Sequence, residues 1–229
     1  KTKARQRGLY ATFMPKPLFG SNGSGLHLHH SLFKDDQNLF FGKNGPYHLS
    51  RLAKHFLAGL LKYSREITAI TNQWVNSYKR LVIGYEAPVY IAWGRRNRSA
   101  LVRVPAFKPY KPSSCRLEYR AADPATNPYL AFSVLLAAGL RGVQEKLPLP
   151  DPVEEDIYAM PEDVKAKYGI DSLPDSLYSA ILVMEQSELV RETLGDVLFE
   201  KYIRNKKTEW EKYRIQVTDY EIKNYLPKL

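Results

Sequence analysis

Apolar residues recur at helical spacing in two long stretches of the chain. Between Leu49 and Ile70 they form one continuous face, which predicts a long amphipathic helix. A second helix is predicted to begin at Asn127, whose side chain can cap it ahead of Pro128, and to end near Lys146. After residue 150 the pattern predicts helices near 161–168, 176–186, 188–194, 197–213 and 220–229.

Strands are predicted mainly in the first half of the chain. Residues 9–14 predict a short strand, and the stretch that follows the glycine-rich turn predicts another, through Phe33. Residues 35–47 predict an exposed hairpin or loop, and residues 81–104 predict strands and loops. The strict alternation of residues 116–120 predicts a further strand.

The order of these elements indicates the fold class. Strands followed by helices are typical of an α+β fold, with an antiparallel sheet, helices packed on it and a helical C-terminal extension. We expect an α+β core over residues 1–150 and an extension of the same domain over residues 151–229.

Positive charge is concentrated in one segment. Residues 79–120 contain ten Lys or Arg residues and two glutamates, while the formal net charge of the whole chain is +10. Five of these residues are arginines separated by apolar and aromatic residues, a pattern that suits fixed, fork-shaped contacts with phosphate or carboxylate groups. They are Arg80, Arg98, Arg103, Arg116 and Arg120. Flexible basic tails are instead continuous blocks of like charge. We therefore expect these side chains to line a folded surface.

The composition excludes several classes of protein. With 229 residues and 44% hydrophobic content, the chain can bury a substantial core, which argues against disorder. One cysteine excludes an internal disulfide framework, and no apolar run approaches the roughly 20 residues of a membrane span. The basic N-terminus lacks the hydrophobic segment of a secretory signal, so a cytoplasmic location is expected. Because residue 1 is not Met, we also expect the chain to begin inside a longer gene product.

Three histidines follow the glycine-rich turn. His27 and His29 are two positions apart on a predicted strand, so their side chains share a face and His30 points to the other. Two histidines on one face beside a glycine-rich turn suit a metal ion or a phosphate group. The alternative is that the sheet satisfies the histidines and the glycines serve only a tight turn.

The segment from Arg116 to Arg120 carries a second same-face set. Arg116, Glu118 and Arg120 share one side, while Leu117 and Tyr119 turn toward the core. One interpretation is a surface ladder of ion pairs, which stabilises little. The other is a metal-binding carboxylate between two anion clamps.

Two further arginines occur earlier in the basic segment. Arg98 and Arg103 are separated by an odd number of positions, so they can bind one anion only if Arg98 lies in the loop before the strand. We expect Arg95 and Arg96 to serve solubility alone.

A single acid lies within the most basic part of the chain. Glu86 is placed between the turn residue Gly84 and Pro88. It either balances the surrounding charge or belongs to a mobile lid that handles a cationic substrate or a proton.

These motifs occur together, in one order, over residues 9–142. They are Met14-Pro15-Lys16-Pro17, Asn22 to His27, Asn76 to Arg80, Gly84 to Pro88, Arg96 to Ser99, Arg116 to Arg120, Asp123-Pro124 and Asn127 to Leu130. The set resembles the catalytic domain of the type I glutamine synthetases, and residues 221–226 are similar to the Gram-positive and archaeal branch of that family. The resemblance implies a glutamine synthetase/guanido kinase-like catalytic domain.

The resemblance also implies a reaction. ATP converts the side-chain carboxylate of glutamate into an acyl phosphate, which ammonia then attacks, with Mg²⁺ or Mn²⁺ as cofactor. The homo-oligomer implied is a double-ring dodecamer, and neither a membrane nor a nucleic acid is expected as a partner. By this resemblance the site residues are the catalytic Glu86 and Arg98; the ATP contacts His29, Ser31, Arg98, Arg103 and Arg116; the glutamate contacts Asn22, Gly23, Arg80 and Arg120; and the metal ligands His27 and Glu118.

Two departures from the family pattern limit these implications. Ile83 stands where many members have proline, and the first half of the family sequence, with its β-grasp domain and most of its carboxylate metal ligands, is absent. We therefore predict that this chain alone is inactive. Tyr158 resembles a tyrosine that some bacterial relatives adenylylate, with ordinary packing as the alternative.

Two other functions compete with the synthetase. One is a non-catalytic relative that binds ATP or serves in assembly or regulation, which the missing metal ligands would allow. The other is a nucleic-acid binder, which the basic composition allows but no recognition motif supports.

Overall fold

The computed structural model describes residues 1–107 and 111–229. These residues form six strands, β1 Leu28–His30, β2 Phe33–Lys34, β3 Gln37–Asn38, β4 Tyr90–Gly94, β5 Ala100–Arg103 and β6 Leu117–Tyr119. They also form ten α-helices, α1 Thr2–Arg5, α2 Arg51–Lys62, α3 Ser64–Thr71, α4 Val75–Arg80, α5 Pro128–Gln144, α6 Glu162–Lys167, α7 Leu177–Glu185, α8 Glu188–Leu194, α9 Asp196–Arg214 and α10 Asp219–Tyr225.

The main sheet has four strands in the order β1-β6-β5-β4. β6 pairs antiparallel with both of its neighbours, and Glu118 lies opposite His29 on β1 and opposite Arg103 on β5. The register therefore brings a histidine, a carboxylate and an arginine from distant parts of the chain into one row. The predicted α+β class is confirmed.

The pairing of β4 with β5 is parallel, which differs from the antiparallel sheet expected. Parallel strands are usually joined by a dozen or more residues, but here only residues 95–99 connect them. Five extended residues reach about 17 Å, enough to run back along the five-residue β4. Alternation along a strand does not reveal its direction, so the sequence pattern could not predict this pairing.

Residues 9–14 do not form the predicted strand. Within the described chain no neighbouring strand forms a ladder with them, and Leu9, Tyr10 and Phe13 are largely exposed. Residues 35–47 do contain part of a small hairpin, made by β2 and β3.

The helix predicted over 49–70 is two helices, α2 and α3, which meet at Tyr63. Ser50 caps α2, since its hydroxyl accepts a hydrogen bond from the amide of Ala53 at 3.1 Å. The predicted helix at Asn127 is confirmed as α5, and the side chain of Asn127 accepts from the amide of Tyr129 at 3.0 Å. Helices α6 to α10 confirm the helical C-terminal region, whereas α4 had not been expected.

Helices α2 and α5 pack closely against each other. A Cβ atom on Gly59 would lie 2.2 Å from the carbonyl oxygen of Ala138, and one on Gly142 would lie 2.3 Å from that of His55. A Cβ on Gly139 would lie 2.2 Å from the ring of Phe56. Only glycine fits at these points, so the two helices are locked together on one side of the sheet.

The apolar core lies between this helical layer and the sheet. Val102 on β5 and Leu117 and Tyr119 on β6 are fully buried and belong to the same cluster as Phe56 and Leu135. The helices cover this side of the sheet, so the charged side chains of β5 and β6 lie on the opposite side. Within residues 1–107 and 111–229, no helix has both the length and the apolar composition to cross a membrane.

Candidate active site

Glu118 lies at the centre of the charged side of the sheet. Its side chain is only 3% exposed. One carboxylate oxygen is 2.9 Å from Nδ1 of His27, and the other accepts a hydrogen bond from Nε of Arg103 at 2.6 Å. Nε of Arg120 lies 4.0 Å from the first oxygen. Glu118 is therefore buried among cationic and histidine side chains, which contradicts the interpretation as an exposed surface ladder.

The surroundings of Glu118 determine its charge. Burial alone would raise the pKa of the carboxyl group, but the hydrogen bonds from His27 and Arg103 and the charge of Arg103 outweigh it and lower the pKa to about 2. Glu118 is thus ionised at any physiological pH.

The histidines take the two sides that the sequence predicts. Nδ1 of His29 accepts a hydrogen bond from Nε of Arg116 at 3.1 Å on the charged side. His30 faces the core, with its ring 5.9 Å from that of Phe56. Burial lowers the pKa of His29, and lowers that of His30 to about 4, so both are neutral at pH 7.

Arg98 lies in the loop between β4 and β5, the placement required for it to work with Arg103. Its side chain is 80% exposed, and Nη1 is 3.6 Å from a carboxylate oxygen of Glu86. The other oxygen of Glu86 is 3.4 Å from the side-chain amide of Asn22. The glycine-rich turn, the Glu86 loop and the Arg98 loop therefore meet at one place.

Arg120 connects this meeting point to Glu118. Its guanidinium group donates to the backbone carbonyls of Arg98 and Ala100. Nε of Arg120 is buried without a hydrogen-bond partner within the described residues. Arg98, Arg103, Glu118 and His27 therefore belong to one connected set.

Arg80 has a more structural setting than the sequence predicts. Its side chain is buried, and it donates to the carbonyls of residues 120, 121 and 122. A Cβ on Gly25 would lie 2.6 Å from Nη2 of Arg80, and one on Gly23 would lie 2.9 Å from its Cγ. Because Gly23 and Gly25 have no side chains, the turn lies directly on the Arg80 side chain. In this structure Arg80 therefore supports the turn and is not open to a ligand.

A buried network holds the carbonyls that bind Arg80. Asp123 is fully buried, and it accepts hydrogen bonds from Asn72 Nδ2 at 3.0 Å and from the amide of Ala125 at 3.0 Å. Burial raises the pKa of Asp123, although the nearby positive charge of Arg80 opposes the shift. This motif aspartate therefore shapes the chain directly after Arg120.

The metal ligands implied by the sequence are incomplete. Across the part of the chain that the structure describes, no three His, Cys, Asp or Glu side chains are grouped closely enough to hold a metal ion. His27 and Glu118 are adjacent, but Glu118 is already bound by Arg103. Because Mg²⁺ demands near-octahedral oxygen coordination, these residues alone do not fit it. Ser31 is exposed just after β1.

The sequence pattern did not reveal the contribution of residues 153–158. Glu154, Asp156 and Tyr158 line a cavity of about 370 Å³ together with Glu86 and Arg98. The hydroxyl of Tyr158 donates to the carbonyl of Ala87, and burial raises the pKa of Tyr158 to about 12. These contacts cross more than fifty positions of sequence, so local spacing carries no signal for them.

Comparison with known proteins gives a consistent result. A glutamine synthetase from Mycolicibacterium smegmatis is 51% identical over 226 residues, 99% of this chain and 51% of the relative. One from Clostridium saccharobutylicum is 49% identical over 228 residues, 100% of this chain and 51% of the relative. A third, from the archaeal Methanococcus maripaludis, is 50% identical over 226 residues, which cover 99% of this chain and 50% of the relative. This chain spans about half the length of the curated relatives it matches.

Solved structures and a family model agree with these relatives. The structure described as "Apo GmaS without ligand" superposes with a TM-score of 0.85 at 35% identity, covering 99% of this chain and 50% of that one. The structure described as "GmaS/ADP complex-Conformation 1" gives 0.86 at 35% identity, covering 99% and 51%. Residues 1–225 match the family model "Glutamine synthetase, catalytic domain". The chain therefore belongs to the glutamine synthetase family, in which it corresponds to the catalytic domain.

Proposed function

We propose that this chain provides the phosphate-binding and glutamate-binding side of a site that joins ammonia to glutamate at the expense of ATP. The observation that carries the proposal is the connected set around Glu118, in which Arg103 binds the carboxylate and Arg120 links it to the Arg98 loop. One family relative is described as an ADP complex, which supports a nucleotide as one ligand of this site.

The first step is phosphoryl transfer. An oxygen of the glutamate side-chain carboxylate attacks the γ-phosphorus of ATP, the bond from that phosphorus to the β-phosphate oxygen breaks, and ADP leaves. Charge spread over the moving phosphoryl group is stabilised by positioned cations. Arg98 suits this role because its guanidinium is exposed and paired only loosely with Glu86, at 3.6 Å. Arg103, Arg116, His29 and Ser31 would contact the rest of ATP.

The second step is amide formation. The nitrogen of ammonia attacks the acyl carbon, the bond from that carbon to the phosphate oxygen breaks, and inorganic phosphate leaves. The nitrogen loses a proton, and Glu86 is the base in reach of this side of the site. Its loop, in which Gly84 has a φ of 90° and Glu86 a φ of 55°, would also cover the acyl phosphate.

Glutamate would lie between the glycine-rich turn and β6. Asn22 and Gly23 would offer polar contacts from the turn, and Arg120 would attract a carboxylate of glutamate from the end of β6. Arg80 would act through the turn that it supports, because its own donors are already bound to three carbonyls.

Mg²⁺ or Mn²⁺ would offset the charge of the triphosphate. His27 and Glu118 are the residues of this chain that would contribute ligands, and further ligands must come from elsewhere. A homo-oligomer, with sites between neighbouring subunits, belongs to the same proposal.

The incomplete ligand set favours one alternative, a family member that binds ATP without completing catalysis. The test is an assay of the full-length polypeptide that the gene encodes, with ATP, glutamate, ammonium and Mg²⁺. Glutamine, ADP and phosphate should form in equal amounts. ATP binding without glutamine would support the alternative.

The same assay on the 229-residue chain alone tests the predicted inactivity. We expect no turnover above background. Turnover close to that of the full-length polypeptide would contradict this prediction.

A further inference from the structure

The carboxylate of Glu154 binds the entrance of the loop that carries Arg98. One oxygen accepts a hydrogen bond from the backbone amide of Arg95 at 2.9 Å, and the other accepts from the amide of Arg96 at 3.0 Å. The hydroxyl of Tyr47 donates to the first oxygen at 2.7 Å. The side chain of Glu154 thus fixes the peptide groups of Arg95 and Arg96, which precede Arg98 by three and two positions.

Asn97 fixes the next part of the loop to the same segment. Its side-chain amide donates to the carbonyls of Val153 at 2.9 Å and Glu155 at 2.6 Å. Its side-chain oxygen accepts from the amide of Ser99 at 2.8 Å. The backbone is therefore held on both sides of Arg98, while the side chain of Arg98 stays 80% exposed.

Tyr47 extends the support of Glu154 to the sheet. Its ring lies 5.0 Å from the buried ring of Trp93 on β4, and the guanidinium carbon of Arg95 lies 4.9 Å from the Tyr47 ring centre. Burial would raise the pKa of Glu154, but the hydrogen bonds from the two amides and from Tyr47 lower it. The carboxylate is therefore ionised, which strengthens hydrogen bonds to peptide groups.

We propose that Glu154 is a positioning residue that holds the Arg95–Ser99 loop so that Arg98 is aimed at the transferring phosphoryl group. The inference rests on the proposed function, because it needs Arg98 to act on that group. Glu154 itself touches no reacting atom. Its side chain is exposed, so replacing it leaves the apolar core intact.

The experiment is a double-mutant cycle in the full-length polypeptide, using Arg98→Ala, Glu154→Gln and both together. Glutamine in place of Glu154 keeps the size of the side chain but has only one acceptor oxygen, so one of the two amides loses its partner. We expect kcat to fall about tenfold or more in Glu154→Gln with little change in KM for ATP, because small misplacements of a catalytic group are costly. In the Arg98→Ala background the same change should have almost no further effect.

Glu155→Gln is the matched control. It removes the same charge one position away, and the Glu155 side chain is exposed, so kcat should not change. Amide hydrogen exchange provides a second readout, since exchange at Arg95 and Arg96 should accelerate in Glu154→Gln and not in Glu155→Gln. If Glu154→Gln does not fold, Tyr47→Phe removes one of the three hydrogen bonds and should give a smaller kcat loss with the same dependence on Arg98.

The outcomes separate the two proposals. If Arg98→Ala leaves glutamine formation unchanged, both the role of Arg98 and the positioning role fail. If Arg98→Ala slows the reaction and Glu154→Gln adds its full effect to it, the positioning role alone is overturned. Unchanged exchange at Arg95 and Arg96 would also overturn it.

Discussion

The two sides of β6 bury their side chains by different physical means. Leu117 and Tyr119 face the helices and are fully buried by apolar contacts. Glu118, between them, is almost as deeply buried but depends on His27 and Arg103 for its stability. An apolar side chain needs only a matching shape, whereas a buried charge needs particular partners at particular distances. Substitutions on the apolar side should therefore lower the free energy of unfolding, whereas substitutions on the charged side should lower the rate of the proposed reaction.

The largest effect is expected for Arg98→Ala on the charged side. Loss of an arginine that stabilises a transferring phosphoryl group costs about 10³-fold or more in kcat. The side chain is 80% exposed, so the free energy of unfolding should hardly change. Glutamine formation by the full-length polypeptide measures kcat, and urea unfolding of the same protein measures its stability. Arg204→Ala, at an exposed position on α9, is the control, and equal activity in both variants would contradict the comparison.

The next largest effect is expected for Phe56→Ala on the apolar side. Phe56 is 1% exposed and packs on Gly139 and Phe40, so truncation leaves a cavity and should cost about 3–5 kcal/mol of unfolding free energy. Urea unfolding measures this. Phe132→Ala removes the same ring from a position that is 52% exposed, and should cost far less. Similar losses in both variants would mean that the core is elsewhere.

Measuring the free energy of unfolding at several pH values separates the contribution of the Glu118 charge from that of its packing. The pKa of Glu118 falls from its ordinary 4.5 in the unfolded chain to about 2 in the fold. The pairing therefore contributes about 3 kcal/mol above pH 4.5, and this is lost as the pH falls toward 2. The difference in unfolding free energy between the native chain and Glu118→Gln should shrink over that interval. Differences that stay constant from pH 4.5 down to pH 2 would contradict the prediction.

His30 gives the smallest effect at neutral pH and a second pH test, over a higher pH interval than that of Glu118. Burial lowers its pKa from 6.5 to about 4, so the unfolded chain takes up a proton first as the pH falls. The native chain should lose up to about 3 kcal/mol of stability between pH 6.5 and pH 4. His30→Phe should lack this loss, because its ring has no proton to gain beside Phe56. Urea midpoints at several pH values test it, and parallel curves for the two proteins would refute it.

Local sequence patterns predicted the elements that depend on local physics. The cap at Asn127 predicted α5, and alternation placed Leu117 and Tyr119 on the core side of the sheet and Glu118 on the other side. The same rule sent His30 to the core and His29 to the charged side. These results need only the periods of helices and strands.

The remainder depended on contacts between distant parts of the chain. The direction of β5 relative to β4 and the missing strand over 9–14 are set by partners that no local pattern names. Arg80 is buried because it binds three carbonyls about forty positions away in the sequence. The hydrogen bonds from the Arg95–Ser99 loop to Glu154 join residues nearly sixty positions apart. The family resemblance proposed residues for the site but named none of the side chains that support them.

The glycine contacts between α2 and α5 restrict how the molecule can deform. A rotation of either helix about its axis that replaced Gly59 or Gly142 at the contact by a residue with a Cβ atom would clash with the neighbouring backbone. β5 packs on α2, so the strand that carries Arg103 inherits this immobility. We therefore expect movement around the charged side of the sheet to involve the surface loops, above a rigid platform formed by the sheet and these two helices.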